Sequence, residues 1–173
     1  MTTIQDWLNV NAGGYDTLDP ADRQAIFDFT LLWSLFEARV LDCDGNIPQM
    51  TARVAAAAEK GGIDLAPFEG ALSYFQKRYF HEGKPTRLFD GLWPGNKKAG
   101  RAEVEAVLNG TAATASEKLT ALFIIIYRLR NNLFHGSKWA YSFKGQLENF
   151  THAGTVLMRA IELFRAKGLT LET

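Results

Sequence analysis

The chain has 173 residues, of which 47% are hydrophobic and 22% are charged, and its formal net charge is zero. This length suits one domain with its own core, and the composition excludes an intrinsically disordered chain. The single cysteine, Cys43, excludes an internal disulfide framework, and the balanced charge argues against tight nonspecific binding to nucleic acid.

The first half of the sequence predicts three helices. Asp19-Pro20 supplies an N-cap and a first-position proline, and apolar residues then recur at three- and four-residue spacing over 20–41. A second helix is predicted over 47–60, where Gly61-Gly62 ends it, and a third over 65–80.

The second half begins with a segment from Gly83 to Gly100 that contains four Gly and two Pro. This composition predicts one long loop, and loops of this length are often functional or mobile. Helices are predicted over 101–108, 116–135 and 144–167. Since no segment shows sustained strand alternation, we expect one all-α domain over residues 1–173.

The longest apolar run, Ala121 to Tyr127, is far shorter than the ~20 residues that cross a bilayer. We interpret it as part of the core or as a dimer interface. The polar start M-T-T-I-Q-D is unlike a signal peptide. These features predict a cytoplasmic protein with no membrane partner.

Charge is distributed unevenly along the chain. Residues 1–117 carry 11 Lys or Arg and 16 Asp or Glu, whereas residues 118–173 carry 8 and 3. A further basic patch, which includes Lys97 and Lys98, falls in the predicted loop. Such a patch either attracts phosphate groups or is an ordinary solvated surface.

A polar cluster follows the apolar run in the sequence Y-R-L-R-N-N-L-F-H-G-S-K over 127–138. On an α-helix, Asn131 and His135 lie on one face, whereas Arg130 and His135 diverge by about 140°. Either the long Arg side chain reaches the same cleft, or a second subunit completes the geometry. The cluster therefore favours a homodimer.

These residue types suit phosphodiester cleavage. His135 can exchange protons at neutral pH with a ribose 2′-hydroxyl or a leaving 5′-oxygen. The Arg130 guanidinium can stabilise the charge on phosphorus, and Asn131 can orient these groups by hydrogen bonding. The alternative is an ordinary helix end, with Arg130 capping carbonyls and His135 interacting with the dipole.

The sequence predicts no metal site and no cofactor. It contains three histidines and one cysteine, and it lacks H-x-x-x-H and C-x-x-C spacings. His81 and His152 are interpreted as surface or satisfied core histidines.

Other residues outside the cluster are candidates for the same site. Glu37 is the only acid in a mainly apolar helix segment, so it either pairs with Arg130 or His135 or lies exposed at the edge of the apolar stripe. After the cluster, Lys138, Trp139 and Tyr141 are candidate RNA contacts, because cations and aromatic rings bind single strands; the alternative is packing.

The stretch R-N-N-L-F-H-G resembles the signature of HEPN domains (higher eukaryotes and prokaryotes nucleotide-binding). This all-α family is marked by an Arg, a polar residue, a short spacer and a His near the end of a late helix. Arg130, Asn131 and His135 match that signature residue by residue. The sequence W-S-L-F-E, which ends at Glu37, resembles the first-helix pattern of such proteins.

The resemblance covers about residues 20–167 and treats 83–100 as an inserted loop in a HEPN-like helical bundle. It implies a metal-independent endoribonuclease without a cofactor, acting on RNA as a homodimer whose two motif helices face one cleft. Such proteins often serve as toxins or phage-defence effectors, with an antitoxin or a regulatory protein as partner. The alternative is a noncatalytic HEPN-like module for nucleotide or RNA binding or for dimerisation.

Overall fold

The computed structural model describes residues 2–95, 98–111, 114–134 and 145–171, which are mostly helical. Within these ranges no helix has the length and hydropathy needed to cross a membrane. A short antiparallel hairpin joins β1 (Phe80–His81) to β2 (Lys84–Pro85). The α-helices are α1 Ile4–Asn11, α2 Pro20–Val40, α3 Ile47–Glu59, α4 Glu69–Tyr79, α5 Arg87–Asp90, α6 Arg101–Leu108, α7 Ala115–Phe134 and α8 Leu147–Ala166.

Side-chain caps set the beginnings of α2 and α3. Asp19 accepts the Asp22 N–H at 2.9 Å, and Asn46 accepts the Gln49 N–H at 2.8 Å. Each cap satisfies a backbone donor that has no partner inside the helix. The predicted beginnings of α2 and α3 are therefore confirmed. The third predicted helix begins instead as a 3₁₀ turn over Ala66–Phe68.

The core is arranged around α7. α3 and α6 pack on α7, while α2 and α4 pack on α8. Residues 121–126 of α7 are at most 1% exposed. Phe123 lies 5.1 Å from Phe36 and 6.3 Å from Phe164, measured between ring centroids. The apolar run is therefore core of a single chain, and the expectation that it forms a dimer interface is wrong for these six residues.

The prediction of one long loop over 83–100 is wrong as well. This segment contains β2 and α5, and it buries Phe89, Leu92 and Trp93 to 0%, 3% and 5% exposure. The Trp93 indole N–H also donates to the carbonyl oxygen of Ala99 at 2.9 Å. The Gly and Pro residues mark turns between short elements, and the apolar side chains between those turns pack into the core.

One face of α2 remains apolar and exposed. Phe27, Leu31 and Leu35 are 57%, 54% and 44% exposed and follow each other at four-residue spacing. We call these three residues the α2 ridge. Beside it lies an open groove of about 600 Å³ between α2 and α8. A ridge next to a groove is a common geometry for helix–helix packing.

Candidate active site

Arg130 lies at the C-terminal end of α7 and is half-buried. Its guanidinium carbon lies 5.7 Å from the ring centroid of Trp33, on α2, and 5.2 Å from that of Phe134. Aromatic faces attract a cation at these distances. Nη1 of Arg130 also donates to Oδ1 of the half-buried Asn131 at 3.0 Å. Two rings and one amide therefore hold the guanidinium.

Glu37 reaches this site through Trp33. The Trp33 indole N–H donates to Oε2 of Glu37 at 3.2 Å. In the part of the chain that the structure describes, Glu37 forms no ion pair with Arg130. Of the two partners expected for Glu37, Arg130 does not pair with it directly, and the indole of Trp33 contacts both groups instead. The other expected partner, His135, lies outside the described residues.

A glycine makes room for the Glu37 carboxylate. A Cβ atom at Gly45, in the turn between α2 and α3, would lie 2.1 Å from Oε1 of Glu37. It would also lie 3.1 Å from Cζ2 of Trp33. The carboxylate and the indole edge thus occupy space that any other residue at position 45 would fill.

Arg130 has no ion-pair partner in the part of the chain that the structure describes. No carboxylate lies within 4.0 Å of its guanidinium among residues 2–95, 98–111, 114–134 and 145–171. The segment 135–144, which follows α7 in sequence, contains no Asp or Glu and adds one His and two Lys. A guanidinium held in place, with no carboxylate partner among the described residues, can donate its N–H groups to the oxygens of a phosphate group.

Two other polar residues of α7 have a structural role that the sequence did not predict. Asn132, 4% exposed, donates through Nδ2 to the carbonyl oxygens of Gly91 and Leu92 at 3.0 and 3.5 Å. Arg128, 6% exposed, donates through Nη2 to the carbonyl oxygen of Ala99. Burial lowers the pKa of the Arg128 guanidinium. The sequence signal for this shared role is their spacing of four residues, which places both side chains on one face of α7.

Of the remaining predicted site residues, Lys98 is the one that lies in the described part of the chain. Lys98 is exposed and lines an open groove beside α7, which also includes Tyr127 and Arg128. The sequence-predicted residues that lie outside the described part of the chain are His135, Lys138, Trp139, Tyr141 and Lys97. The geometry therefore joins Arg130, Asn131 and, through Trp33, Glu37.

His81 and His152 have contacts outside the Arg130 cluster. His81 is exposed, and His152 stacks on Tyr74 with ring centroids 4.2 Å apart. Burial lowers the pKa of His152, although Glu148 opposes that shift. Across the described ranges, no three His, Cys, Asp or Glu side chains form a cluster that could hold a metal ion.

The aromatic residues around Arg130 could have been selected from the sequence. Phe134 follows Arg130 by four positions on one helix, and Trp33 precedes Glu37 by four positions on another. Both spacings place side chains on a common face. The contact between Trp33 on α2 and Arg130 on α7 could not be predicted from these spacings, because it depends on how the two helices pack.

Comparison with family models, with curated proteins and with solved structures found no match. The function is therefore inferred from the residues and their geometry.

Proposed function

We propose that the chain is a metal-independent endoribonuclease of HEPN-like type. The observation that carries this proposal is the Arg130 guanidinium, which is held by Trp33, Phe134 and Asn131 and has no carboxylate within ion-pair distance in the described residues. A fixed cation of this kind stabilises the negative charge that develops on a phosphate during cleavage.

In the proposed reaction the ribose 2′-oxygen attacks the adjacent phosphorus, and the bond from phosphorus to the 5′-oxygen breaks. His135, five residues after Arg130, takes the proton of the 2′-hydroxyl while water protonates the departing 5′-oxygen, or it gives a proton to the 5′-oxygen while water takes that of the 2′-hydroxyl. The products are a 2′,3′-cyclic phosphate and a free 5′-hydroxyl. Asn131 positions Arg130 through its 3.0 Å hydrogen bond, and Glu37 positions Trp33.

Cations and aromatic residues near the motif are the proposed RNA contacts. Lys98 lies beside α7, and Lys97, Lys138, Trp139 and Tyr141 are proposed from their place in the sequence. Stacking on aromatic rings and attraction to phosphates are the usual means of binding single strands. A role as toxin or defence effector, with an antitoxin or regulatory protein as partner, follows from the resemblance to HEPN domains.

The proposal includes a homodimer, with the α2 ridge as the contact surface. The ridge adjoins the groove, since Leu31 belongs to the ridge and also lines the groove. Two copies related by a twofold axis can therefore each place a ridge against the other's groove.

A noncatalytic nucleotide- or RNA-binding module is the second candidate. It is favoured by the same Arg130–Asn131 pair, because a guanidinium and an amide bind phosphate without any proton transfer. The two functions differ at His135. Catalysis requires its imidazole, whereas simple phosphate binding at Arg130 does not.

The test compares His135→Ala and Arg130→Ala with the parent in an RNA gel assay. Each variant should keep its helical circular dichroism spectrum and lose cleavage by ~10²–10⁴-fold. Arg165→Ala, which removes an exposed cation from α8, is the matched control and should cut at the parent rate. The parent should remain active with a chelator and leave DNA of the same sequence intact. Equal rates for His135→Ala and the parent would overturn the proposal.

A further inference from the structure

A groove of about 360 Å³ lies beside the candidate active site, at the N-terminus of α3. Residues 46–48 form one wall, and Lys98 and Ala99 form another. Tyr127 and Arg128 of α7 form the remainder. The volume is at the lower end of the range of small-molecule sites. Its size suits one small unit of a larger ligand.

The groove is positively charged. Arg128 and Lys98 both line it, and none of its lining residues is acidic in the part of the chain that the structure describes. Arg128 is 94% buried, and its Nη2 donates to the carbonyl oxygen of Ala99. No carboxylate of the described residues lies within 4.0 Å of its guanidinium, so this largely buried cation favours an anion in the groove.

The helix end adds a smaller contribution. The positive end of the α3 dipole faces the groove through residues 46–48. Its N–H groups contribute little, because Asn46 already caps Gln49 and Pro48 has no N–H. The carboxylate of Asp44 is held by the Asn46 side-chain amide at 2.7 Å. Lys98 and Arg128 are therefore the principal anion ligands.

The same groove has an apolar and aromatic part, formed by Ile47, Pro48 and the phenol ring of Tyr127. A phosphate ion alone would not use these surfaces. A nucleobase or a ribose would, since every base stacks on an aromatic ring. The combined lining fits a nucleotide better than an inorganic anion.

Tyr127 also connects the groove with the candidate active site. Its ring centroid lies 6.1 Å from that of Trp33, and the Trp33 ring lies 5.7 Å from the Arg130 guanidinium carbon. We propose that the groove binds one nucleotide of an RNA strand next to the phosphate that Arg130 contacts. Its phosphate contacts Lys98 and Arg128, and its base contacts Tyr127 and Pro48. The choice of RNA as ligand rests on the proposed nuclease function.

The test measures the salt dependence of binding to a short single-stranded RNA by fluorescence anisotropy. The His135→Ala background keeps the RNA intact. Lys98→Gln removes one phosphate contact without altering the buried Arg128, so the slope of log affinity against log salt should fall in magnitude by about 0.7. Lys84→Gln, which removes an exposed lysine on β2, is the matched control and should keep the parent slope.

Single-stranded DNA of the same sequence should show the same Lys98 dependence, because the contact is to phosphate. A Lys98→Gln slope equal to that of Lys84→Gln would overturn the groove proposal, even if the parent cuts RNA. Conversely, a slope that depends on Lys98 in a parent that cuts no RNA would support the groove and remove the nuclease function. The two proposals therefore fail separately.

Discussion

Gly100 joins the 83–100 segment to α6, and its replacement by alanine should destabilise the fold measurably. Its φ is +78°, in the left-handed region. A Cβ atom there would lie 2.7 Å from Cγ2 of Ile124 and 3.0 Å from Cδ1 of Ile47. The backbone conformation costs a non-glycine residue about 1–2 kcal/mol, and overpacking adds about 1–3 kcal/mol. We expect Gly100→Ala to lose about 2–5 kcal/mol of unfolding free energy.

Gly110 provides a closely matched control, because its φ is +79° and an added Cβ would meet nothing within 4 Å among the described residues. Gly110→Ala should therefore show the backbone cost alone, about 1–2 kcal/mol. The difference between the two variants isolates the packing of residue 100 against α3 and α7. It should be about 1–3 kcal/mol.

Urea denaturation followed by circular dichroism measures both free energies, provided that the slope with denaturant is the same in all three proteins. Equal losses in Gly100→Ala and Gly110→Ala would refute the reasoning. That result would mean that residue 100 does not pack closely on Ile124 and Ile47.

Three further predictions concern the site, the pH dependence and the oligomeric state. Gly45→Ala should displace the Glu37 carboxylate from Trp33 and slow RNA cleavage, while unfolding free energy falls by only about 1 kcal/mol because a flexible side chain can move. Because burial lowers the pKa of His152, the folded state binds fewer protons than the unfolded state below about pH 6.5. The contribution of His152 to the unfolding free energy is therefore fully present above that pH and is lost as the pH falls through its folded pKa. His152→Gln should remove this pH-dependent contribution, which is measured by denaturation at pH 7.5 and at pH 5. Leu31→Glu should convert a dimeric mass into a monomeric one in light scattering, because it places a charge on the α2 ridge.

Each of these predictions has a matched control. Gly13→Ala adds a methyl group that meets no described residue within 4 Å, so it should leave cleavage unchanged. His81→Gln alters an exposed histidine and should keep the pH dependence of the parent. Leu88→Glu changes an exposed leucine outside the α2 ridge and should remain dimeric. A parent that is monomeric at micromolar concentration would contradict the dimer, and full activity in Gly45→Ala would contradict a positioning role for Glu37.

Local sequence signals predicted the main helices well. α2 and α3 begin at side-chain caps, and α7 follows from its apolar run, because these features depend on residues three or four positions apart. α1 was not predicted. Its capping box between Thr3 and Asp6 was visible, but the helix buries no side chain and so lacks the apolar pattern of a core helix.

The tertiary contacts, between residues far apart in the sequence, could not be predicted from the sequence. Gly and Pro in 83–100 indicate turns, but they do not show whether the side chains between those turns reach the core. Likewise, Arg128 and Asn132 find their backbone partners 29 and 41 residues away in sequence. For the candidate site, the Arg130–Asn131 bond and the Trp33–Glu37 bond are local, whereas the meeting of those two pairs depends on how α2 and α7 pack.

The alternation of polar roles along α7 has a consequence for selection experiments. Arg128 and Asn132 hold the neighbouring backbone, whereas Arg130 and Asn131 lie in the candidate active site. In a library of single variants sorted only for soluble, protease-resistant protein, positions 128 and 132 should lose most substitutions and positions 130 and 131 should keep theirs. Sorting the same library for RNA cleavage should deplete all four. Residues 128–132 are therefore under two separate selective pressures, one for folding and one for cleavage. A single assay that counts tolerated substitutions would not distinguish the two.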